Sequence, residues 1–279
     1  MKLFLKKKIE GRMKERLDQI LWKYGYVDSI DKAKRLIMLG AVIVNEQKIE
    51  KPGSLIQYSE DMKIRIKGQE NPYVSRGGFK LKKAIDSFAC SFQGKRVLDI
   101  GASTGGFTDC SLQEGAAYVY ALDVGTNQLA WKLRQHPQVK SIEQCHIKEL
   151  NWNILDGEAV DYMVMDVSFI SVCGIFPYLL PFLTEEGKLL LLIKPQFEVE
   201  KQFLEKGIVR DSKAHQGILK KVIEVAERNG FFIQNIEVSP ILGGKGNVEY
   251  ISCFSKRKAA FTLEWDEILI KAKKMGGLR

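Results

Sequence analysis

Paired cysteines are missing from this chain: Cys90, Cys110, Cys145, Cys173 and Cys253 are odd in number, scattered, and contain no CxxC. That excludes a disulfide framework, argues against a structural zinc site and fits a reducing cytosol. Histidine is scarce as well. His136, His146 and His215 have no metal-ligand spacing, read as surface or loop residues, and give no reason to expect a metal. Long apolar runs are absent: LLLLI at 189–193 is strand-sized and far below a membrane span. The opening MKLFLKKKIEGR passes at once into a lysine run and lacks the apolar core of a signal peptide. No repeat or low-complexity tract appears. A soluble, cytoplasmic monomer without a membrane partner is expected.

Acidic residues are in deficit, with Lys+Arg 43 against Asp+Glu 34 and a formal net charge of +9. Sixteen of those basic residues and nine of the acidic ones fall in residues 1–67, so the rest of the chain is nearly neutral. A small basic unit on a large neutral one points to a polyanion-binding module attached to a catalytic body, with solubility charge as the plain alternative. The length, 279 residues, suffices for one large domain and one small one.

Periodicity divides the chain accordingly. Residues 1–12 are a basic extension, and Met13 is an alternative start. Residues 13–66 read as an α+β unit. RLDQILWKYGY and SIDKAKRLIMLG carry helical stripes ended by Gly25 and Gly40, and AVIVNEQKIEKPGSLI alternates like short strands around an Asn-Glu turn before MKIRI at 62–66. The polar, proline-bearing stretch 67–72 is the expected linker. From 73 to 279 strands and helices alternate. RVLDIG, YVYALDV, KSIEQC, VDYMVMDVSFI, KLLLLIKPQ, FIQNIEVSPI and EYISCF read as strands; 107–115, 127–136, 172–182 and 213–229 read as helices. That pattern predicts an α/β fold, a parallel, doubly wound Rossmann-like sheet with ligands at its C-terminal strand ends.

VLDIGASTGGFTD (97–109) is an apolar strand entering a glycine-rich turn, and Asp123 ends the next strand 22 residues after Gly101, where an acid can bind ribose hydroxyls. The order selects an adenosine-containing cofactor. Ser103, in place of the second glycine of GxGxxG, favours S-adenosylmethionine over a dinucleotide. Asp166 in VMDVSFIS and Lys194 in LLLLIKPQFE each end an apolar strand, and Glu249 lies among apolar neighbours in GNVEYI. Charges there are costly without a partner or a task. Each alone also fits a partly buried ion pair; three together, with Lys80 of YVSRGGFKLKKAI, point to a site. A lysine beneath a hydrophobic strand and near another cation is expected to lose its proton more readily and to act as a base. Lys80 also fits a solvated basic face, on which it and Arg76 could reach an RNA phosphate. Phe79, Phe107, Phe169 and Phe197 read as packing residues, with base stacking the alternative for the last two.

Taken together these motifs resemble the hemolysin A (TlyA) family of S-adenosylmethionine-dependent ribosomal RNA 2'-O-methyltransferases. Residues 16–64 resemble an S4 RNA-binding domain; the remainder resembles an FtsJ-type (RrmJ-like) methyltransferase through YVSRGGFKL, LDIGASTGGFTD, ALDVGTNQL, DVSFIS, LIKPQFE, KGIVRD and GNVEYI. The resemblance implies a catalytic Lys80, Asp166, Lys194 and Glu249. It implies cofactor contacts from Asp99, Gly101, Ala102, Ser103, Thr104, Gly105, Gly106, Asp123, Val124 and Asp166, and RNA contacts from Arg16, Lys32, Lys34, Arg35 and Arg76. In the implied mechanism Lys194 deprotonates a ribose hydroxyl, Asp166 orients Lys194, and Glu249 positions Lys80 and the ribose. The implied partners are ribosomal RNA and ribosomal subunits, with a cytidine of large-subunit RNA as the target and small-subunit RNA as a second substrate. Cys145-His146 stands where relatives carry Thr-Asn, on the adenine side. Two rival readings are a non-catalytic ribosome-assembly factor and the membrane-lysing activity of the family name.

Overall fold

The computed structural model describes residues 14–27, 29–59, 62–68, 71–258, 263–276 and 278. The basic extension 1–12, Met13 and part of the expected linker lie outside the described residues. Two compact units cover 1–70 and 71–279.

The first unit contains β1 (Glu15–Arg16), α1 (Leu17–Lys23), α2 (Ile30–Met38), β2 (Val42–Val44), β3 (Gln47–Lys48), β4 (Leu55–Ile56) and β5 (Ile64–Ile66). Ser29 starts α2 by accepting the Lys32 amide on its hydroxyl. Leu17 and Leu21 of α1, Ala33 and Ile37 of α2, and Val42 and Val44 of β2 form its core. The β2–β3 hairpin turns at Asn45 and Glu46, both with positive φ, as a two-residue primed turn requires. Lys67 still donates its amide to Ala41 at 2.8 Å, so the small sheet reaches one residue into the expected linker.

The second unit contains α3 (Gly77–Ser87), β6 (Arg96–Ile100), α4 (Gly106–Gln113), β7 (Tyr118–Leu122), α5 (Trp131–Arg134), β8 (Val139–Ile142), β9 (Val160–Met165), β10 (Leu183–Ile193), α6 (Pro195–Glu198), α7 (Ser212–Arg228), β11 (Phe232–Val238), β12 (Tyr250–Ser255) and α8 (Trp265–Lys274). The strands form one sheet in the order β11-β12-β10-β9-β6-β7-β8. It is not wholly parallel: β12 runs antiparallel to both β10 and β11. The connection between β11 and β12 carries no α-helix, so the chain returns beside β11 in the opposite direction instead of crossing over. Residues 172–182 also depart from expectation. They form three successive 3₁₀ turns instead of a helix, because Pro177 and Pro181 remove amide donors four residues apart.

Pleat alternation assigns the strand side chains to two core layers. Leu98, Tyr120, Met163, Leu189, Leu191 and Phe254 face one layer, shared with α7 and α8. Val97, Val119, Val164, Leu190, Leu192 and Ile251 face the other, shared with α3 and α4. His215 is not the surface residue its spacing suggested. It is buried in the first turns of α7, with Nε2 bonded to the Val209 carbonyl at 2.9 Å and Nδ1 to the Tyr250 hydroxyl at 2.8 Å. Burial holds its pKa below the ordinary histidine value.

Candidate active site

The same alternation brings the charged residues together. Val164 and Asp166, Leu190, Leu192 and Lys194, and Glu249, Ile251 and Cys253 are successive members of one face, the face beneath α3. The polar member of each series falls where its strand meets the C-terminal edge of the parallel strands. Pro195 holds Lys194 extended (φ −112°, ψ 98°) while stopping β10. Helix α3 buries Leu81, Ala84 and Ile85 on that layer and points Lys80 down between the strand ends.

Lys80 Nζ donates to Glu249 Oε2 at 2.7 Å and lies 3.7 Å from Asp166 Oδ2. Lys194 Nζ is 2.6 Å from Asp166 Oδ1 and donates to the Ser168 hydroxyl oxygen at 2.6 Å. The two ammonium groups therefore flank one carboxylate instead of facing each other. Lys80 does not belong to the solvated basic face; that role falls to Lys82, paired with Asp86 at 2.9 Å and Glu114 at 3.0 Å. Burial works against the Lys80 ammonium, but Asp166 and Glu249 outweigh it and hold Lys80 above the ordinary lysine value. Burial likewise raises the Asp166 carboxyl, and Lys80 and Lys194 prevail, holding it below the usual carboxylate range.

The glycine-rich turn adjoins this cluster: a Cβ on Gly101 would lie 3.2 Å from the Asp166 carbonyl oxygen. Gly101 (φ 82°), Ser103 (φ 48°) and Gly105 (φ 95°) are all left-handed, which folds the turn tightly ahead of α4. Asp123 accepts the Ser103 amide at 2.8 Å and the Gly125 amide at 2.7 Å, so its carboxylate is fixed at the rim. Ala102 is buried, Thr104 exposed and Val124 exposed. A narrow glycine cradle and a fixed, half-exposed acid one strand away fit an adenosine and its ribose.

Asp99 is fully buried. Its Oδ2 accepts the Thr108 hydroxyl at 2.6 Å, and among the described residues its Oδ1 has no hydrogen-bond partner. Burial, reinforced by the charges of Asp166 and Asp123, pushes its pKa up to about 7. A carboxyl raised in the fold contributes stability that is present at low pH and lost as pH rises through that value. Wild type is therefore expected to lose about 4 kcal/mol from this group between pH 4 and 8. Asp99→Asn should remove that slope in denaturant titrations; an identical slope in the variant would refute the assignment.

Sequence reasoning missed several neighbours. Ser168, which touches Lys194, shares its pleat parity with Asp166 two residues earlier, and that was a usable signal. Glu198 gave none: it is buried in a four-residue helix and accepts the Ser171 hydroxyl at 2.5 Å and the Val172 amide at 2.8 Å, fixing the loop after Asp166. Asp109 accepts the Val74 amide at 2.8 Å and pairs with Lys132 at 2.9 Å, tying down the segment that leads into α3. Phe169 does not pack as expected. It is 86% exposed at φ 67°, an unfavourable backbone for a bulky residue, with its ring 5.1 Å from that of Phe197. Phe79 packs edge-on against Tyr73, and Phe107 is buried.

Of the RNA-contact candidates, Arg16 holds Asp18 through two hydrogen bonds of 3.0 and 2.7 Å. Lys32, Lys34 and Arg35 lie along α2, with Lys34 paired to Asp31 at 3.3 Å and Arg35 exposed. Arg76 precedes α3. No helix among the described residues is long and apolar enough to cross a membrane.

A mixed seven-stranded sheet with reversed β12, a glycine cradle at the end of β6 and an acid at the end of β7 define a Rossmann-like methyltransferase domain. Residues 73–256 match the FtsJ-like methyltransferase family, and residues 15–62 match the S4 domain. Hemolysin A of Brachyspira hyodysenteriae is 43% identical over 240 residues, spanning 86% of this chain and 99% of that one. The 16S/23S rRNA (cytidine-2'-O)-methyltransferase TlyA of Mycobacterium tuberculosis is 37% identical over 236 residues, spanning 84% and 87%. A solved Streptococcus thermophilus structure carrying the hemolysin name superimposes with a TM-score of 0.74 at 39% identity, covering 95% of this chain and 98% of that one. The chain belongs to the FtsJ-like methyltransferase family, in its S4-bearing hemolysin A (TlyA) branch.

Proposed function

We propose that the chain methylates a ribose 2'-oxygen of ribosomal RNA, with a cytidine of large-subunit RNA as the target and small-subunit RNA as a second substrate. The buried Lys80–Asp166–Lys194–Glu249 network beside the glycine cradle carries this reading. S-Adenosylmethionine, held by the 101–106 turn and Asp123, supplies an activated methyl group. The chain's own task is then proton removal, because a ribose hydroxyl is too weak an acid to react at neutral pH. Lys194, once it has released its own proton to solvent, accepts that proton as the free amine, and Asp166 and Ser168 lie where they stabilise the ammonium that re-forms. Lys80, kept charged by its two carboxylates, stabilises the oxyanion as it develops. Glu249 fixes Lys80. Exposed Phe169, beside Phe197 and Lys194, offers a stacking surface for an unstacked base.

The test is tritium transfer from labelled S-adenosylmethionine to unmodified large and small subunits separately, followed by nucleoside mapping. Label recovered as 2'-O-methylcytidine is the expected result. No label in any RNA, subunit or whole ribosome would overturn the proposal and leave a binding factor. Affinity for RNA should fall steeply with salt, because phosphate contacts release counterions.

A further inference from the structure

The two connections at the Glu249 end of the sheet close with the same unusual turn. Glu205 and Ile208 exchange backbone hydrogen bonds of 2.9 and 3.1 Å around Lys206-Gly207, and both central residues have positive φ (54° and 85°). Asn247 donates its amide to Gly244 at 3.2 Å around Lys245-Gly246, again with positive φ (58° and 85°). Such turns favour Asn, Asp or Gly at the first central position; lysine there carries a backbone cost that glycine would not. Both turns nevertheless present an exposed lysine followed by glycine.

Buried groups join the two turns. Asn247 donates from Nδ2 to the carbonyls of Gly207 at 3.0 Å and Gly244 at 2.9 Å and accepts the Val209 amide at 3.4 Å, while His215 bonds the Val209 carbonyl. The turns also touch: a Cβ on Gly207 would lie 2.9 Å from Lys245 Nζ. Gly243, whose amide bonds the Asn247 carbonyl, lies directly against the Glu249 carboxylate, since a Cβ there would overlap it. Among the described residues neither lysine has a carboxylate within ion-pair distance, whereas nearby Arg210 is paired with Glu205 at 3.5 Å.

We infer that Lys206 and Lys245, held by these twin Lys-Gly turns on the Glu249 side of the site, form a clamp for the phosphodiester backbone of the substrate RNA strand. The inference rests on the ribose-methylation reading above. A 2'-hydroxyl is attached next to the carbon that bears the 3'-phosphodiester, so a ribose seated at Lys194 brings phosphates to the rim of the site. Two ammonium groups with no carboxylate partner among the described residues, held on a rigid support, complement such phosphates and carry no base information.

Lys206→Gly and Lys245→Gly, singly and combined, test this, because glycine removes the charge while suiting the left-handed backbone. Filter binding of ribosomal RNA across a potassium chloride series is read without turnover. The double variant should lower the salt slope by about 1.4, two phosphates at roughly 0.7 each, and weaken binding about tenfold near physiological salt. KM for RNA should rise in parallel, with kcat, cofactor affinity and the thermal midpoint held at or above wild type. An unchanged salt slope with unchanged KM would overturn the clamp, as would a loss confined to kcat. If wild type binds RNA but methylates none while the slope still falls, the clamp stands and the methyltransferase reading fails.

Discussion

Replacing Lys194 by methionine is expected to lower kcat by roughly 10²–10⁴-fold, the range of a positioned general base. The cofactor should still bind with near wild-type affinity, since Lys194 directly follows β10 and is not part of the 101–106 turn. Methionine alone does not separate a base from a cation that merely positions substrate. Arginine does. Lys194→Arg keeps a cation beside Asp166, but a guanidinium does not surrender its proton in a protein. If Lys194 is the base, both variants fail in single-turnover methyl transfer while isothermal titration still detects cofactor. Substantial turnover by Lys194→Arg would remove Lys194 from that role and make it a positioning charge.

Much of the site was legible because a strand is read with period two. Once VLDI, VMD, LLLLIK and VEYI are taken as strands, Asp99, Asp166, Lys194 and Glu249 share a parity with the apolar residues of one core layer. Spacing alone cannot say how far a residue on that face lies from solvent, and so it grouped buried Asp99 with the exposed turn residues. It also cannot fix which charges become neighbours. Asp166 lies between the two lysines because β9 and β10 are adjacent in the sheet, a tertiary fact with no local signal. The reversed β12 and the 3₁₀ turns at 172–182 were misread for opposite reasons. In the first case the direction of a strand leaves no mark on its residues. In the second, Pro177 and Pro181 were visible but given less weight than apolar spacing. His215 was missed because a lone histidine on a polar-looking helix gives no hint that a carbonyl and a tyrosine hydroxyl await it.

Asp166→Asn should have the largest effect on stability. Asp166 is the only carboxylate within ion-pair distance of Lys194 among the described residues and also supports Lys80, so an amide there leaves one buried ammonium with neutral acceptors and no counter-charge. Removing one partner of a buried pair costs about 3–5 kcal/mol, because the remaining charge stays desolvated. For a unit of this size that corresponds to a fall of about 10 °C in the thermal midpoint. Removing the stranded cation as well should recover part of the loss, so Asp166→Asn/Lys194→Met is expected to melt above Asp166→Asn even though both are inactive. The pH dependence supplies an independent check. Asp166 has a folded pKa below its unfolded value, so its contribution is present at neutral pH and is lost as pH falls through the folded value. Acidification below about pH 4 should therefore narrow the stability gap between wild type and Asp166→Asn. A double variant no more stable than the single one, together with a gap that ignores pH, would mean that Asp166 acts through packing and not as the carboxylate shared by two lysines.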